Sequence, residues 1–424
     1  MSGVSALEPR QVRFRYLVVQ ALRWLPTGLL IPVTTLLMLD RGLGLAEVGT
    51  VVAAQGLVVL LLELPTGGLA DSLGRRPVLI AASALAVVSV ALLAVADSYP
   101  AFLAVWLVQG ASRALDSGPL DAWFVDATLA ADPRARLEPG LGAGGTVTGL
   151  ALAAGSLASG ALVALGPVGG VDALAVPVIA AVVLELAHLA GVAVLVREPA
   201  RTVRSGLRDS IGQAPRAIGE AVGLLRRSRV LLALVAVELS WGFGLAAVET
   251  LTPVRLAETL DSADAAAVLL GPVGAAAWLV SAGGAALAPV LARTIGTAPT
   301  AAVLRLAQGG AVVAMGLTAG PAGVVAAYLA GYAAHGASNP VHQTLLHQQV
   351  DNGHRTSVLS LNSMAAQPAG AVGSIVLTAV AGAWSTSVAI VLGGVVLALA
   401  APLYLPAWRA ARTEGLSADP GSAG

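Results

Sequence analysis

The chain has neither cysteine nor lysine among its 424 residues. The first absence excludes disulfides and thiolate metal sites. The second removes the lysine that a G-x-x-x-x-G-K-[ST] nucleotide loop requires, so ATP drive is excluded. Charge is scarce: Asp, Glu, Lys and Arg together make up 11% of residues, where a soluble domain carries about 25%. Aromatic residues are also few, at 4%. What fills the chain is apolar, 57% by count, and a multi-spanning membrane protein is the class that accommodates this. The apolar run after Arg15 is no signal peptide: it contains Arg23, lacks a small-x-small cleavage site and continues past about twenty residues. His342, His347 and His354 flank a loop without metal-ligand spacing, so neither metal nor cofactor is expected. No nucleic-acid partner is expected.

A bilayer core requires about 20 apolar residues per helix. On that measure the sequence holds twelve spans, near 15–38, 47–66, 78–96, 101–126, 141–165, 174–196, 230–252, 265–290, 300–318, 322–345, 356–382 and 387–406. The expected fold is therefore an all-α polytopic membrane protein with two six-helix halves, 1–196 and 230–408. Between them, 197–229 is a polar linker, part of which is either an amphipathic surface helix or a solvated loop. Residues 409–424 read as a disordered tail. The small-residue stretch 140–162 lets two helix backbones approach closely. Alternating crossings place nineteen arginines on one face and only Arg41 and Arg255 on the other, with Arg23, Arg113 and Arg305 inside spans. The positive-inside bias puts the linker and both termini in the cytoplasm, and a multi-pass protein of the cell (inner) membrane is expected, in contact with lipid and monomeric.

One stretch interrupts the apolar pattern. "LADSLGRRP" (69–77) aligns without gaps to "LARTIGTAP" (291–299), 222 residues on. Both follow the second span of their half and precede the third. An even number of spans per half makes this a parallel repeat, with a pseudo-two-fold axis along the membrane normal.

Twelve spans in two halves, with G-x-L-x-D-x-x-G-R-R between spans two and three, resemble the major facilitator superfamily (MFS). The matching residues are Gly67, Leu69, Asp71, Gly74, Arg75 and Arg76. The family's basic residue after the aspartate is Ser72 here, and the second copy lacks the aspartate and both arginines. The resemblance implies a charge cluster that latches the cytoplasmic side. Asp71 is expected against a helix N-terminus of the other half, in span eleven; Arg75 is expected against Asp126 at the end of span four. The alternative is that Arg75 and Arg76 merely obey the positive-inside bias. "WLVQGASRAL" resembles the family's R-x-x-x-G in Gln109-Gly110, but Trp106 stands at the arginine position. "GPVGG" (166–170) lacks a spacer residue of the antiporter motif and reads as a plain outer turn.

Ionisable groups near a bilayer centre cost about 2.5–3.5 kcal/mol each on insertion scales, so they usually carry function. Arg23, Arg113, Asp116, Glu185, Glu238 and His335 lie within about two turns of mid-span. Arg113 and Asp116 are three apart and are expected to neutralise each other, with Gly118-Pro119 kinking the span beyond them. Glu185 and His188 have the same spacing. His335 stands 222 residues after Arg113, its counterpart in the repeat. A buried carboxyl holds its proton and one opened to water releases it, so Asp116, Glu185 and Glu238 are the candidates for a coupling proton; fixed ion pairs between helices are the alternative. Trp24, Trp106, Trp123, Trp241 and Trp278 fall inside spans, where Trp24 and Trp241 can line a cavity; core packing explains each equally well.

The expected activity is secondary active transport of a small-molecule substrate coupled to protons, with efflux of hydrophobic or drug-like compounds as the leading direction and class. Uptake of a polar metabolite and a non-transporting receptor on the same scaffold are the alternatives. No clustered nucleophile or acid pair marks an enzyme.

Overall fold

The computed structural model describes residues 8–198, 228–349 and 355–417, together with Gly219, Gly223, Leu225 and Arg226. Side chains of 63–65, 67, 68, 71, 355–361, 363, 364 and 414–417 lie outside the description, as does most of the linker. Among the described residues there is no strand, and the long helices form twelve rods. They are α1 (Pro9–Leu30, continued by Thr34–Asp40), α2 (Leu45–Leu73), α3 (Arg75–Val95), α4 (Tyr99–Asp116 and Pro119–Ala131), α5 (Glu138–Ala164) and α6 (Val176–Leu195). The second set is α7 (Arg229–Glu249 and Leu251–Leu260), α8 (Ala263–Ile295), α9 (Thr297–Leu317), α10 (Pro321–Gln348), α11 (Arg355–Ala383) and α12 (Thr386–Leu399, running on to Leu405–Ser417).

Among the described residues, ten helical stretches are long and apolar enough to cross a membrane. The two rods outside that set are α4, broken at Ser117–Gly118 and carrying Gln109, Arg113 and Asp116, and α10, which carries His335, Asn339, His342 and Gln343. Gly118 takes the left-handed conformation (φ 90°) directly before Pro119, so the kink read from sequence is a full break. Where an unstructured tail is expected from Arg409, the helix continues to Ser417; 418–424 lie outside the described residues.

Two compact units emerge, Met1–Pro215 with Leu256–Trp278, and Arg216–Arg255 with Leu279–Gly424. The stretch Leu256–Trp278, placed by sequence in the second half, thus groups with the first unit. Each unit has a core drawn from the first, third, fourth and sixth rods of its half, joined in the second unit by Ala288 of α8. In the first, Tyr16, Leu79, Leu120, Trp123, Phe124 and Val192 pack together; in the second, Leu234, Leu304, Val341, Leu345 and Tyr404 do so.

The first and fifth rods of each half meet backbone to backbone. A Cβ at Gly155 of α5 would collide with the Leu25 carbonyl of α1, and one at Gly242 of α7 with the Ala366 carbonyl of α11. Close approach of this kind is how small residues hold membrane helices together. The repeat also has a backbone form. α3 and α9 are both 21 residues long, and each is entered through a single glycine of positive φ, Gly74 and Gly296.

Candidate functional site

The "GGLADSLGRRP" stretch folds as the end of α2, the one-residue turn at Gly74 and the start of α3. Gly67 and Asp71 fall in the last turns of α2, and the expected docking of the Asp71 side chain lies outside the described residues. Around the turn, charges interlock. Arg75 donates to Asp126 Oδ2 from Nε at 3.0 Å and lies 2.7 Å away through Nη2. Arg76 Nη2 donates to the Ala193 carbonyl at 2.8 Å, Arg15 Nη1 to Leu195 at 3.2 Å, and Trp123 Nε1 to Arg197 at 2.9 Å. These donors satisfy carbonyls that the end of α6 leaves without helical partners.

One member of this cluster escapes sequence reasoning. Glu198 lays its carboxylate on the N-terminus of α3, accepting from Arg75 N at 2.8 Å and Arg76 N at 3.1 Å. An anion there meets unsatisfied N–H groups and the positive end of the helix dipole. By sequence Glu198 belongs to the first turn of the polar linker; an acid just past a span, with a glycine-led helix start elsewhere, is the only signal that points to it.

Deeper in the first unit, Arg23 forms an ion pair with Asp116 and donates from Nη2 to the Asp116 carbonyl at 3.1 Å. The expected Arg113–Asp116 pair is therefore corrected: Asp116 ends the first segment of α4, and its free carbonyl and carboxylate together attract the guanidinium from α1. Arg113 is exposed on the same helix. The guanidinium of Arg23 also lies 5.1 Å from the Trp24 ring. On α6, His188 Nδ1 lies 3.4 Å from Glu185 Oε2, both side chains buried. Their i, i+3 spacing brings them together as the sequence implies.

In the second unit, the expected Glu238, Trp241 and His335 join a larger polar network. His335 stacks on Trp241 with ring centroids 4.0 Å apart. Gln308 Nε2 is 3.4 Å from His335 Nδ1, and Arg305 Nη1 donates to Gln308 Oε1 at 2.8 Å. His342 Nδ1 is 3.0 Å from Tyr404 Oη, and its Nε2 is 3.4 Å from Glu238 Oε1. Asn362 and Arg305 lie beside the Glu238 carboxylate, and Arg305 lies beside the Tyr404 hydroxyl. The network draws on α7, α9, α10, α11 and α12. His342, which the sequence places beside a loop, is 1% exposed: α10 extends to Gln348 and carries it inside the unit.

"GPVGG" is a turn between α5 and α6, with Gly166, Gly169 and Gly170 at positive φ and Val168 bridged to Val171. Trp106 is buried against the core, and a Cβ at nearby Gly110 would press on Val58 and Gln55 of α2.

The molecule is similar to several solved transporters at low sequence identity. The nucleoside transporter NupG matches with a TM-score of 0.75 and 11% identity over 94% of this chain and 99% of that one. A bacterial homologue of the human lysosomal transporter Spinster, inward-facing and occupied, matches at 0.74 with 14% identity over 94% and 96%. The human organic anion transporter MFSD10 matches at 0.61 with 18% identity over 93% and 99%. No curated protein matches the sequence. The Major Facilitator Superfamily profile matches residues 16–374, and with twelve rods and the glycine-arginine turn after the second, this chain belongs to that family of membrane-spanning transporters of small solutes.

Proposed function

We propose that the protein exports hydrophobic or drug-like solutes by alternating access, driven by the proton gradient, as a monomer in the cell (inner) membrane with both termini cytoplasmic. The observation that carries proton coupling is the contact between Glu238 and His342. A carboxyl and an imidazole can share one proton in two arrangements, as an ion pair or as two neutral groups. Asp116, by contrast, is held by Arg23, whose charge is permanent. Glu238 is therefore the leading coupling group, with Arg305, Asn362 and Tyr404 as the charged and polar groups around the pair.

The Arg75–Asp126 pair and the Glu198 cap support a gating role for the turn at Gly74. Those bonds fix the entrance of α3 against α4 and the end of α6, and a latch must be able to break and remake them.

The test is reconstitution in liposomes with an imposed pH gradient and a panel of lipophilic fluorescent solutes. Accumulation against the solute gradient that collapses when the pH gradient is dissipated supports the proposal. Solute movement indifferent to the pH gradient overturns proton coupling, and inward movement alone overturns export.

A further inference from the structure

Both ring nitrogens of His342 face a partner, and the partners come from different elements. Nδ1 lies 3.0 Å from Tyr404 Oη, in the 3₁₀ turn of α12, and Nε2 lies 3.4 Å from Glu238 Oε1 on α7. The Tyr404 ring stands edge-on to the imidazole, with centroids 5.9 Å apart and planes at 81°. His342 and Tyr404 are both fully buried. Arg305 of α9 lies beside the Tyr404 hydroxyl. A guanidinium only donates, so the hydroxyl turns an oxygen lone pair to Arg305 and its hydrogen to Nδ1. Asn362 of α11 lies beside both Glu238 and His342, but its amide offers a donor and an acceptor and favours neither form of the ring. His335, two turns before His342 on α10, stacks on Trp241 and faces Gln308.

We propose that Tyr404 is the positioning residue of the proton site: its hydroxyl donates to Nδ1, so neutral His342 carries its hydrogen on Nε2 and presents it to Glu238. This role rests on the coupling reading above and names what orients the pair. A neutral imidazole has one N–H, and the hydrogen bond made by one nitrogen decides which of the two carries it. A proton entering the pair then binds Nδ1, the nitrogen left bare. The hydroxyl hydrogen turns away, and its oxygen accepts from the new Nδ1–H. The imidazolium holds Nε2–H against the Glu238 carboxylate as an ion pair. Passing that hydrogen to Oε1 leaves a neutral carboxyl and a neutral ring with its hydrogen on Nδ1, and the site has gained one proton in all. A hydroxyl serves every stage because it has one hydrogen and two lone pairs; phenylalanine serves none.

Nitrogen-15 NMR of the purified full-length protein, labelled at histidine, reads the ring without gradient or solute, so failure of proton coupling leaves the result intact. Signals lost in His342→Gln belong to His342. At a pH where the ring is neutral, the wild type is expected to show Nε2 protonated and Nδ1 bare but hydrogen-bonded. Glu238→Gln is expected to keep that pattern, because an amide can face either form of the ring and Tyr404 still selects. Tyr404→Phe, added to Glu238→Gln, removes the hydroxyl alone and leaves the aromatic ring in its core. The ratio of Nε2–H to Nδ1–H is then expected to fall about two- to tenfold, the weight of one hydrogen bond. The Tm of each variant establishes that it folds. In proteoliposomes, Tyr404→Phe alone is expected to keep solute exchange and to lower uphill transport. Hydrogen on Nδ1 in the wild type, an unchanged ratio in the double variant, or loss of the pattern in Glu238→Gln alone overturns the role of Tyr404. Full uphill transport by Tyr404→Phe overturns it as part of coupling. Full uphill transport by Glu238→Gln instead overturns the coupling reading, and the NMR result stands apart from it.

Discussion

Gly74 and Gly296 stand 222 residues apart and hold nearly the same backbone, φ 98° and ψ 158° against φ 89° and ψ 158°. Each is the whole connection between the second and third rods of its half. Only glycine occupies that region without strain, at about 1–3 kcal/mol for any other residue. Alanine at either position is expected to lower stability by about that amount. Gly74→Ala should cost more, because its Cβ would stand 2.8 Å from Glu198 Oε2, whereas at Gly296 the nearest atom is Pro299 Cδ at 3.6 Å. Thermal unfolding of the purified variants checks this; an unchanged Tm in both would mean the turns relax freely.

The Asp126 and Glu198 anchors of the Gly74 turn differ in strength. The Asp126 side chain is 54% exposed, so its coupling with Arg75 should be about 0.2–1 kcal/mol, as for surface pairs. Glu198 accepts two backbone N–H groups at a helix N-terminus, and bonds to a charged acceptor are worth about 1.5–3 kcal/mol each. Glu198→Ala should therefore destabilise more than Asp126→Ala, with Glu198→Gln between them. A double-mutant cycle of Arg75→Ala with Asp126→Ala measures the pair. A coupling well above the surface range would make Asp126 the principal anchor instead.

The fold is legible in the sequence because span length, arginine bias and glycine-led turns are local properties. Each of the twelve rods overlaps a stretch recognisable from hydropathy, and Gly74 with Gly296 marks the repeat in nine residues. The Arg75–Asp126 contact is readable only through the family resemblance. The Arg23–Asp116 pair is not readable at all, since spacing along one helix names Arg113 as the neighbour and is silent about α1. The same holds for the second unit. Arg305 and Gln308 are three apart and visible as polar residues in a span, but Tyr404 and Asn362 acquire meaning only when α9, α11 and α12 come together. Glu198 is hidden by its place at the edge of a polar segment, where an acid ordinarily needs no partner.

Glycines in α5 separate packing from mere flexibility. Gly155 is pressed on the Leu25 carbonyl and the Gly28 backbone, while a Cβ at Gly149 meets nothing within 4 Å. Backbone cannot yield as a side-chain tip can, and overpacking typically costs about 1–3 kcal/mol. Gly155→Ala should lose at least that much and reduce protein in the membrane. Gly149→Ala should be neutral or slightly stabilising, alanine being better in a helix by about 1 kcal/mol. If both variants behaved alike, the α1–α5 contact would not be what holds the pair together.

The last prediction separates a coupling carboxylate from a structural one. Asp116→Asn strips the Arg23 guanidinium of its counter-charge, and breaking a largely buried pair costs about 3–5 kcal/mol. Its expected phenotype is loss of stable protein, recovered in part by Arg23→Gln in the same chain. Glu238→Gln is expected to behave differently. The amide keeps the shape and can still approach Asn362 and His342, so the folded unit survives, but the site no longer exchanges a proton. Substrate exchange across the membrane should persist, because binding and rocking do not require protonation to change, while uphill transport under an imposed pH gradient should vanish. His342→Gln should weaken uphill transport without abolishing exchange, since it removes the group that shares the proton and leaves the carboxyl. Transport in proteoliposomes, run once as exchange and once against a gradient, reads both quantities from one preparation. Normal uphill transport by Glu238→Gln would remove the Glu238–His342 pair from the coupling step and leave Glu185, buried against His188, as the carboxylate to examine next.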